Sequence, residues 1–444
     1  MTDRISLLES LIAKAKRLGA EAADAVVFDS VSSDVSYRMG KLEEVGRSES
    51  SDLGLRVFIG RQQASVASTD LSARALEQLA ERAVAMARTT PEDPYCGLAP
   101  RELLAKTFRD LDLEDKNEPS SARLVELAKD CEAAAREVPG ITNSEGASAG
   151  WGRGAVALAT SEGFAGGYAT TSMSVSVSVL AGEGTHMERD YDFSSARHGA
   201  DLGDAQAVGR SAAERTLKRL NARRVKSQAV PVVFDPRVSN SMIGHLAGAI
   251  NGVSIARGTS FLKEKMGQRI FPAGIRIVDD PHIVRGVRSK PFDGEGVANA
   301  QMNLVEDGVL KTWLLDSAAA RQLGLTTTGH AARGTGGPPS PSTSNLYLVP
   351  GKLTPQAMMA DIRQGFYVTE LIGMGVNGVT GDYSRGAAGF WIEDGVLTYP
   401  VNEITIAGNL NTMFAELTAA NDLIFRYGTN APTLRIEGMT IAGD

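Results

Sequence analysis

The chain has 444 residues, long for one hydrophobic core and enough for two, so two domains are the starting expectation. Hydrophobic residues at 43% and charged residues at 22% exclude a disordered chain, and a net charge of -7 excludes a surface built to neutralise nucleic-acid phosphates. Glycine is abundant at 47 residues without a fixed period and aromatics stand at only 6%, which favours short strands joined by tight turns over an all-helical fold.

The chain opens with Ile5, Leu8, Leu11, Ile12, Ala15 and Leu18 at helical spacing, interrupted by charges. That pattern describes an amphipathic helix rather than a signal peptide or a membrane span. No later stretch reaches about 18 uninterrupted apolar residues, so a soluble cytoplasmic protein with no membrane partner is expected. Residues 24–69 then read as five strand-like pieces, DAVVF, VSSDVSYRM, KLEEVGRSES, LGLRVFI and QQASVAST, arranged as a meander. Asp70 opens a helix with Leu71, Ala75, Leu79, Ala83 and Met86 on one face and Thr69 or Asp70 as its cap. Residues 89–119, with Pro91, Pro94, Pro100 and Pro119, form a long surface connection.

From Ser120 to about Glu137 a second helix aligns Leu124, Leu127, Ala128 and Cys131, which makes Cys131 a core thiol rather than a nucleophile. With Cys96 far away in sequence, both cysteines are expected to be unpaired. Strands return from Ile141 to Asp192, where Met173, Val175, Val177 and Val179 alternate with serines, and another helix follows. This order predicts an α+β fold whose N-terminal domain, residues 1–225, is a mostly antiparallel sheet with helices on one face. Residues 226–444 hold one principal helix after Pro236 and otherwise strands and loops, a β-rich, barrel-like antiparallel domain. Asp307-Gly308 and Asp394-Gly395 supply the positive dihedrals of two-residue hairpin turns.

Few residues offer chemistry. His245 lies on the principal helix, but Gly244 and Ala249 cannot bind metal and no glutamate lies nearby. A zinc-peptidase helix needs two histidines on one face and a glutamate to activate water, so His245 reads as a structural or partner-facing residue. His186, His198, His282 and His330 are scattered singly, and Asp279-Asp280 before Pro281 reads as a turn rather than a catalytic carboxylate pair. Gly373, Gly375 and Gly378 have dinucleotide-motif spacing, yet no apolar helical face follows, so the segment reads as a glycine-rich loop. Residues 330–351 are dense in Gly, Pro, Ser and Thr and form a long loop that either lines a substrate site, docks a partner or is simply solvated.

Taken in order, PVVFDP, the helix with ARGTSF, IRIVDD, LVEDGVLKTWLLD, SPSTSN and LYLVPGK resemble the TldD/PmbA family of metallopeptidases, and the resemblance extends over nearly the whole chain. In the family's catalytic TldD members the corresponding helix looks like His-Glu-x-x-x-His, with a third ligand from a cysteine loop near the C-terminus. Placed on that pattern, Gly244, His245 and Ala249 stand where His, Glu and His are expected, and near the C-terminus IFRYGTNAPTLRIEG runs into the final strand without a cysteine. The resemblance therefore implies a TldE-like subunit with no catalytic, cofactor-binding or metal-binding residue of its own.

It further implies a heterodimer with a TldD-like metallopeptidase subunit that carries zinc, acting on unfolded peptides taken up by strand addition, with homodimerisation of the isolated chain as a variant. Two alternatives are a metallopeptidase active alone or as a homodimer, and a peptide-binding scaffold with no peptidase partner. Glycine content and loop length nominate Gly336, Ser342, Thr343, Asn345, Asn377 and Asp382 as the lining of a substrate chamber.

Overall fold

A computed structural model describes residues 2–443. Six strands, β1 (Ala22–Arg38), β2 (Lys41–Ile59), β3 (Gln62–Ser68), β4 (Ile141–Thr160), β5 (Ala165–Ala181) and β6 (Glu188–Ala196), form one antiparallel sheet in the order β3-β2-β1-β4-β5-β6. Period-two alternation decides its faces. Ala23, Ala25, Val27, Ala157 and Ala159 lie under α1 (Thr2–Arg17) and α2 (Ala73–Ala87). Val35, Ala147, Ala149 and Trp151 have the same parity and lie under α3 (Ser121–Arg136) and α4 (Ala205–Lys218). All four helices thus cover one face, as expected. The other parity, Val26, Val156 and Leu158, packs with Phe164 against Phe292 and Val297 of the second half.

Two local expectations are corrected. The five pieces read over residues 24–69 are three strands, because the polar residues taken as breaks pair across a long hairpin. Asp29 sits opposite Ser51, and its carboxylate accepts from the Ser51 hydroxyl at 2.5 Å and from Arg4 at 2.9 Å. The cap of α2 is Ser72, whose hydroxyl accepts from the Ala75 amide, while Asp70 accepts from the Ser72 amide. The buried stripe is Leu76, Leu79, Ala80, Ala83, Val84 and Ala87, and Met86 is exposed.

The second half begins with β7 (Gln228–Phe234) and the long helix α5 (Pro236–Ala249), followed by α6 (Gly252–Ala256), β8 (Ile277–Asp280), β9 (Met302–Glu306), β10 (Val309–Leu310) and α7 (Ser317–Leu323). Next come β11 (Ala331–Ala332), β12 (Ser340–Pro341), β13 (Asn345–Leu348) and α8 (Pro355–Met359). The chain ends with β14 (Gln364–Ile372), β15 (Asp382–Glu393), β16 (Val396–Asn409), α9 (Leu410–Ala415), β17 (Leu417–Ala419), β18 (Thr429–Asn430) and β19 (Leu434–Ala442). Strands β16-β15-β14-β7-β19 close into a barrel because β16 also pairs with β19. Its ladders are antiparallel except β7–β14, which is parallel. Both Asp-Gly turns have the expected positive φ, 47° and 76° at Asp307 and Gly308, and 47° and 81° at Asp394 and Gly395.

Two buried ionic junctions join the halves. In the first, the Asp24 carboxylate lies between Arg56, 2.5 Å away, and Arg333 from the loop after β11. That loop lies so close that a Cβ on Gly54 would sit 2.5 Å from the Thr335 carbonyl oxygen. In the second, Arg237 at the start of α5 pairs with Asp190 at 2.8 Å, Arg219 with Glu370 at 2.6 Å and Arg426 with Asp192 at 2.8 Å.

Candidate functional site

Helix α5 starts where Pro236 occupies its first turn and the Asp235 side chain accepts from the Arg237 amide. Asp235 also accepts the Tyr367 hydroxyl at 2.8 Å, which ties the helix start to β14. Met242, Ile243, Leu246 and Ala249 bury into the barrel core beside Phe234 and Phe366. With that stripe inward, Gly244, His245 and Gly248 come to border a cleft of about 300 Å³, together with the edge of Ala249. Phe261, Met374, Val376 and Leu410 form its apolar wall, and Arg385 of β15 closes one end.

The two glycines keep the cleft open. A Cβ at Gly244 or Gly248 would meet nothing within 4 Å, and neither has a positive φ. Interior helical glycine costs roughly 0.5–1 kcal/mol relative to alanine, so Gly244→Ala and Gly248→Ala are each expected to raise stability by about that amount. Thermal melting of the two variants checks this, and a fall in Tm would show that the backbone there needs glycine.

Tyr383 and Arg385 are two residues apart on β15 and share a face. The Tyr383 ring meets the His245 imidazole edge-on, with centroids 5.8 Å apart. Burial, with the Arg385 charge adding to it, pushes the His245 imidazole down to about 4, so it is neutral at physiological pH. The Tyr383 phenol is pushed up by burial. His245 Nε2, the Tyr383 hydroxyl and Arg385 Nε are buried without hydrogen-bond partners. Nearby hydroxyls are engaged: Ser260 donates to the Ala249 carbonyl at 2.5 Å and Thr259 to the Ser254 carbonyl at 3.3 Å.

This donor set does not fit a metal ion. Zinc takes three or four nitrogen, sulfur or oxygen ligands, whereas the cleft offers one imidazole facing a guanidinium and has no carboxylate or thiol on its wall. Among the described residues, no group of three or more His, Cys, Asp and Glu side chains is placed to hold a metal.

The residues nominated from sequence fall in three places. Asn377 and Asp382 shape the loop beside the cleft: Asn377 accepts from the Val379 amide at 2.9 Å, and Asp382 accepts from Thr380 at 2.6 Å and Asn409 at 3.1 Å. This is the glycine-rich segment, and no phosphate-binding helix follows it; a Cβ on Gly375 would lie 1.8 Å from the Ser384 carbonyl oxygen. Ser342 and Thr343 border a separate cleft of about 400 Å³, between the first sheet and residues 287–290. Gly336 is exposed on the loop that docks against Gly54. Asn345 is 2% exposed and braces the fold: its amide nitrogen donates to the Asp280 carbonyl and to Ser289, and its oxygen accepts from the Arg288 amide.

Other groups have settled roles. Asp280 accepts from the His282 amide at 2.8 Å as a turn residue, while buried Asp279 anchors Ser344 and lies 3.3 Å from His330. Cys131 is fully buried with its thiol pushed up to about 12, and both cysteines are free. Sequence reading missed Tyr383 and Arg385; the available signal was their alternation with Ala387 on the inward face of a strand, which leaves a cation where an apolar residue is expected.

Three family models match the chain: the PmbA/TldA metallopeptidase domain 1 at residues 23–87, the central domain at 108–220 and the C-terminal domain at 227–443. The chain is 39% identical over 442 residues to the metalloprotease PmbA of Escherichia coli, covering 98% of this chain and 96% of that protein. A PmbA homolog of Haemophilus influenzae is 36% identical, with 97% and 94% covered. Among solved structures, a candidate modulator of DNA gyrase from Bacteroides thetaiotaomicron superposes with a TM-score of 0.92 at 26% identity over 100% of both chains. The TldE protein of Thermococcus kodakarensis shares the fold, with a TM-score of 0.88 at 21% identity over 98% of this chain and 100% of its own.

Proposed function

The chain belongs to the PmbA/TldD metallopeptidase family, and from that premise we propose that it is the metal-free, non-catalytic TldE-like subunit of a zinc peptidase whose TldD-like subunit carries the metal. The observation that carries this reading is the cleft side of α5: where a metallopeptidase helix needs two histidines and a glutamate, the cleft is bordered by Gly244, His245 and the edge of Ala249. In this reading the chain completes a chamber for peptides and restricts what enters it.

Two surface features support it. The glycine-rich loop that walls the cleft exposes Met374 at 89%, with Ile372 at 58% and Val379 at 56% beside it, an apolar patch suited to a partner subunit or to self-association of the isolated chain. The outer part of β2 has a free edge, since β3 pairs only with Leu53–Ile59, and residues 41–50 are almost all exposed. Such an edge offers main-chain donors and acceptors to an extended peptide. A net charge of -7 suits peptide processing better than contact with DNA. No helix among the described residues is long and apolar enough to cross a membrane. A cytoplasmic location completes the proposal.

Metal analysis of the isolated chain tests it. After incubation with zinc and dialysis, the expected content is far below one ion per chain and the same for His245→Ala. One tightly held zinc per chain, lost in His245→Ala, would place a metal centre here and overturn the reading.

A further inference from the structure

We propose that the α5 cleft is a carboxylate-binding pocket, in which the Arg385 guanidinium takes a carboxylate of a bound peptide with His245 beside it. The inference rests on the peptide-handling reading only for the identity of the ligand; the pocket itself rests on geometry.

Two buried polar atoms without partners belong to side chains that line one cleft, Arg385 Nε and His245 Nε2, and the Tyr383 ring packs edge-on against that imidazole. Buried polar groups in folded proteins are nearly always hydrogen-bonded, so two orphans at one cleft mark a place for a polar ligand. Arg385 makes no ion pair among the described residues; no Asp or Glu lines this cleft, and the carboxylates of the adjoining pocket that it also borders, Asp190 and Glu370, are paired with Arg237 and Arg219. By contrast, the arginines Arg56, Arg219, Arg237 and Arg333 of the two junctions each face a carboxylate.

The surroundings select the kind of anion. A guanidinium presents a planar fork that matches two carboxylate oxygens, and a neutral imidazole carrying its proton on Nε2 adds a third donor. The cleft borders the last turns of α5, the negative end of the helix dipole, and has a single cation, which disfavours a doubly charged phosphate. Phe261, Met374, Val376 and Leu410 offer an apolar wall to the side chain next to the anion. A peptide with a carboxylate beside an aliphatic group meets all of these conditions, either at its C-terminus or on an acidic side chain.

The test titrates the isolated full chain, in EDTA, with fluorescein-labelled pentapeptides. One ends in leucine with a free carboxylate, one is its C-terminal amide, and one is the amide with an internal glutamate. The free acid is expected to bind at least roughly tenfold more tightly than the plain amide, the scale of one charge-assisted interaction. Arg385→Met should bring the free acid down to the level of the amide, and Arg385→Lys should restore part of the difference. Glutamate-amide binding equal to that of the free acid, with the same dependence on Arg385, supports the pocket and assigns the carboxylate to a side chain. Equal binding of acid and plain amide, binding of none of the three, or unchanged free-acid binding in Arg385→Met overturns the proposal. The acid-against-amide comparison uses unmutated protein, so it decides even if a variant fails to fold. Zinc or cleavage activity in the isolated chain would sink the subunit reading without altering this comparison, which is run in chelator.

Discussion

Replacing Asp24 with alanine is expected to lower the unfolding free energy by about 3–5 kcal/mol, the usual cost of removing one partner from a buried ionic group. Asp24 is 1% exposed, and the side chains of Arg56 and Arg333 are 4% and 3% exposed. Burial alone would raise the Asp24 carboxyl, but the Arg333 and Arg56 guanidiniums hold it below its ordinary value. Without it, two guanidiniums face each other in a dry junction. Since Arg333 belongs to the second half, the damage should fall on docking of the halves, read as an earlier first transition in urea. Adding Arg56→Met and Arg333→Met to Asp24→Ala should recover much of the loss, because an apolar trio of similar volume leaves no buried charge unpaired. A loss under about 1 kcal/mol in the single variant would show that water already reaches the junction.

Glu295, nearby and 4% exposed, should make stability depend on pH in the opposite sense to Asp24. Burial and then the Asp293 charge push its carboxyl up to about 7, from an ordinary 4.5. A raised folded-state value means that the fold holds a proton the unfolded chain releases. The stabilisation is therefore fully present below about pH 4.5 and is lost as pH rises through about 7. Asp24, with its value lowered, contributes above its ordinary range and loses its contribution on acidification. Glu295→Gln stays neutral throughout, so wild type should lose roughly 2–3 kcal/mol relative to the variant between pH 4.5 and 7.5. Denaturation midpoints of both proteins at four or five pH values measure this, and a difference that does not change with pH would contradict it.

What sequence reading could reach follows from how local each signal is. Alternation such as Met173, Val175, Val177 and Val179 fixed a buried face, and the Asp-Gly pairs fixed two turns, because both depend on adjacent residues. The barrel was legible only as a tendency. Its closure depends on β16 meeting β19 and on the parallel pairing of β7 with β14, contacts between segments remote in sequence. The long loop after His330 looked open from its Gly, Pro and Ser content, yet Arg333 is drawn into the first sheet by Asp24, a partner 309 residues earlier. Asn345, on the same polar stretch, is consumed by backbone and Ser289 contacts for a similar reason. At the cleft, helical spacing and the family resemblance brought Gly244, His245 and Ala249 together, while Tyr383 and Arg385 arrive from a strand far along the chain.

The central claim, a metal-free subunit that works through a metal-bearing partner, is tested most directly by a cleavage assay on an unstructured peptide. The assay uses this chain alone, a TldD-like subunit alone, and both together, with zinc measured in each. The account predicts cleavage that requires the mixture, with zinc confined to the partner. Cleavage by this chain alone, accompanied by stoichiometric zinc in it, would contradict the account.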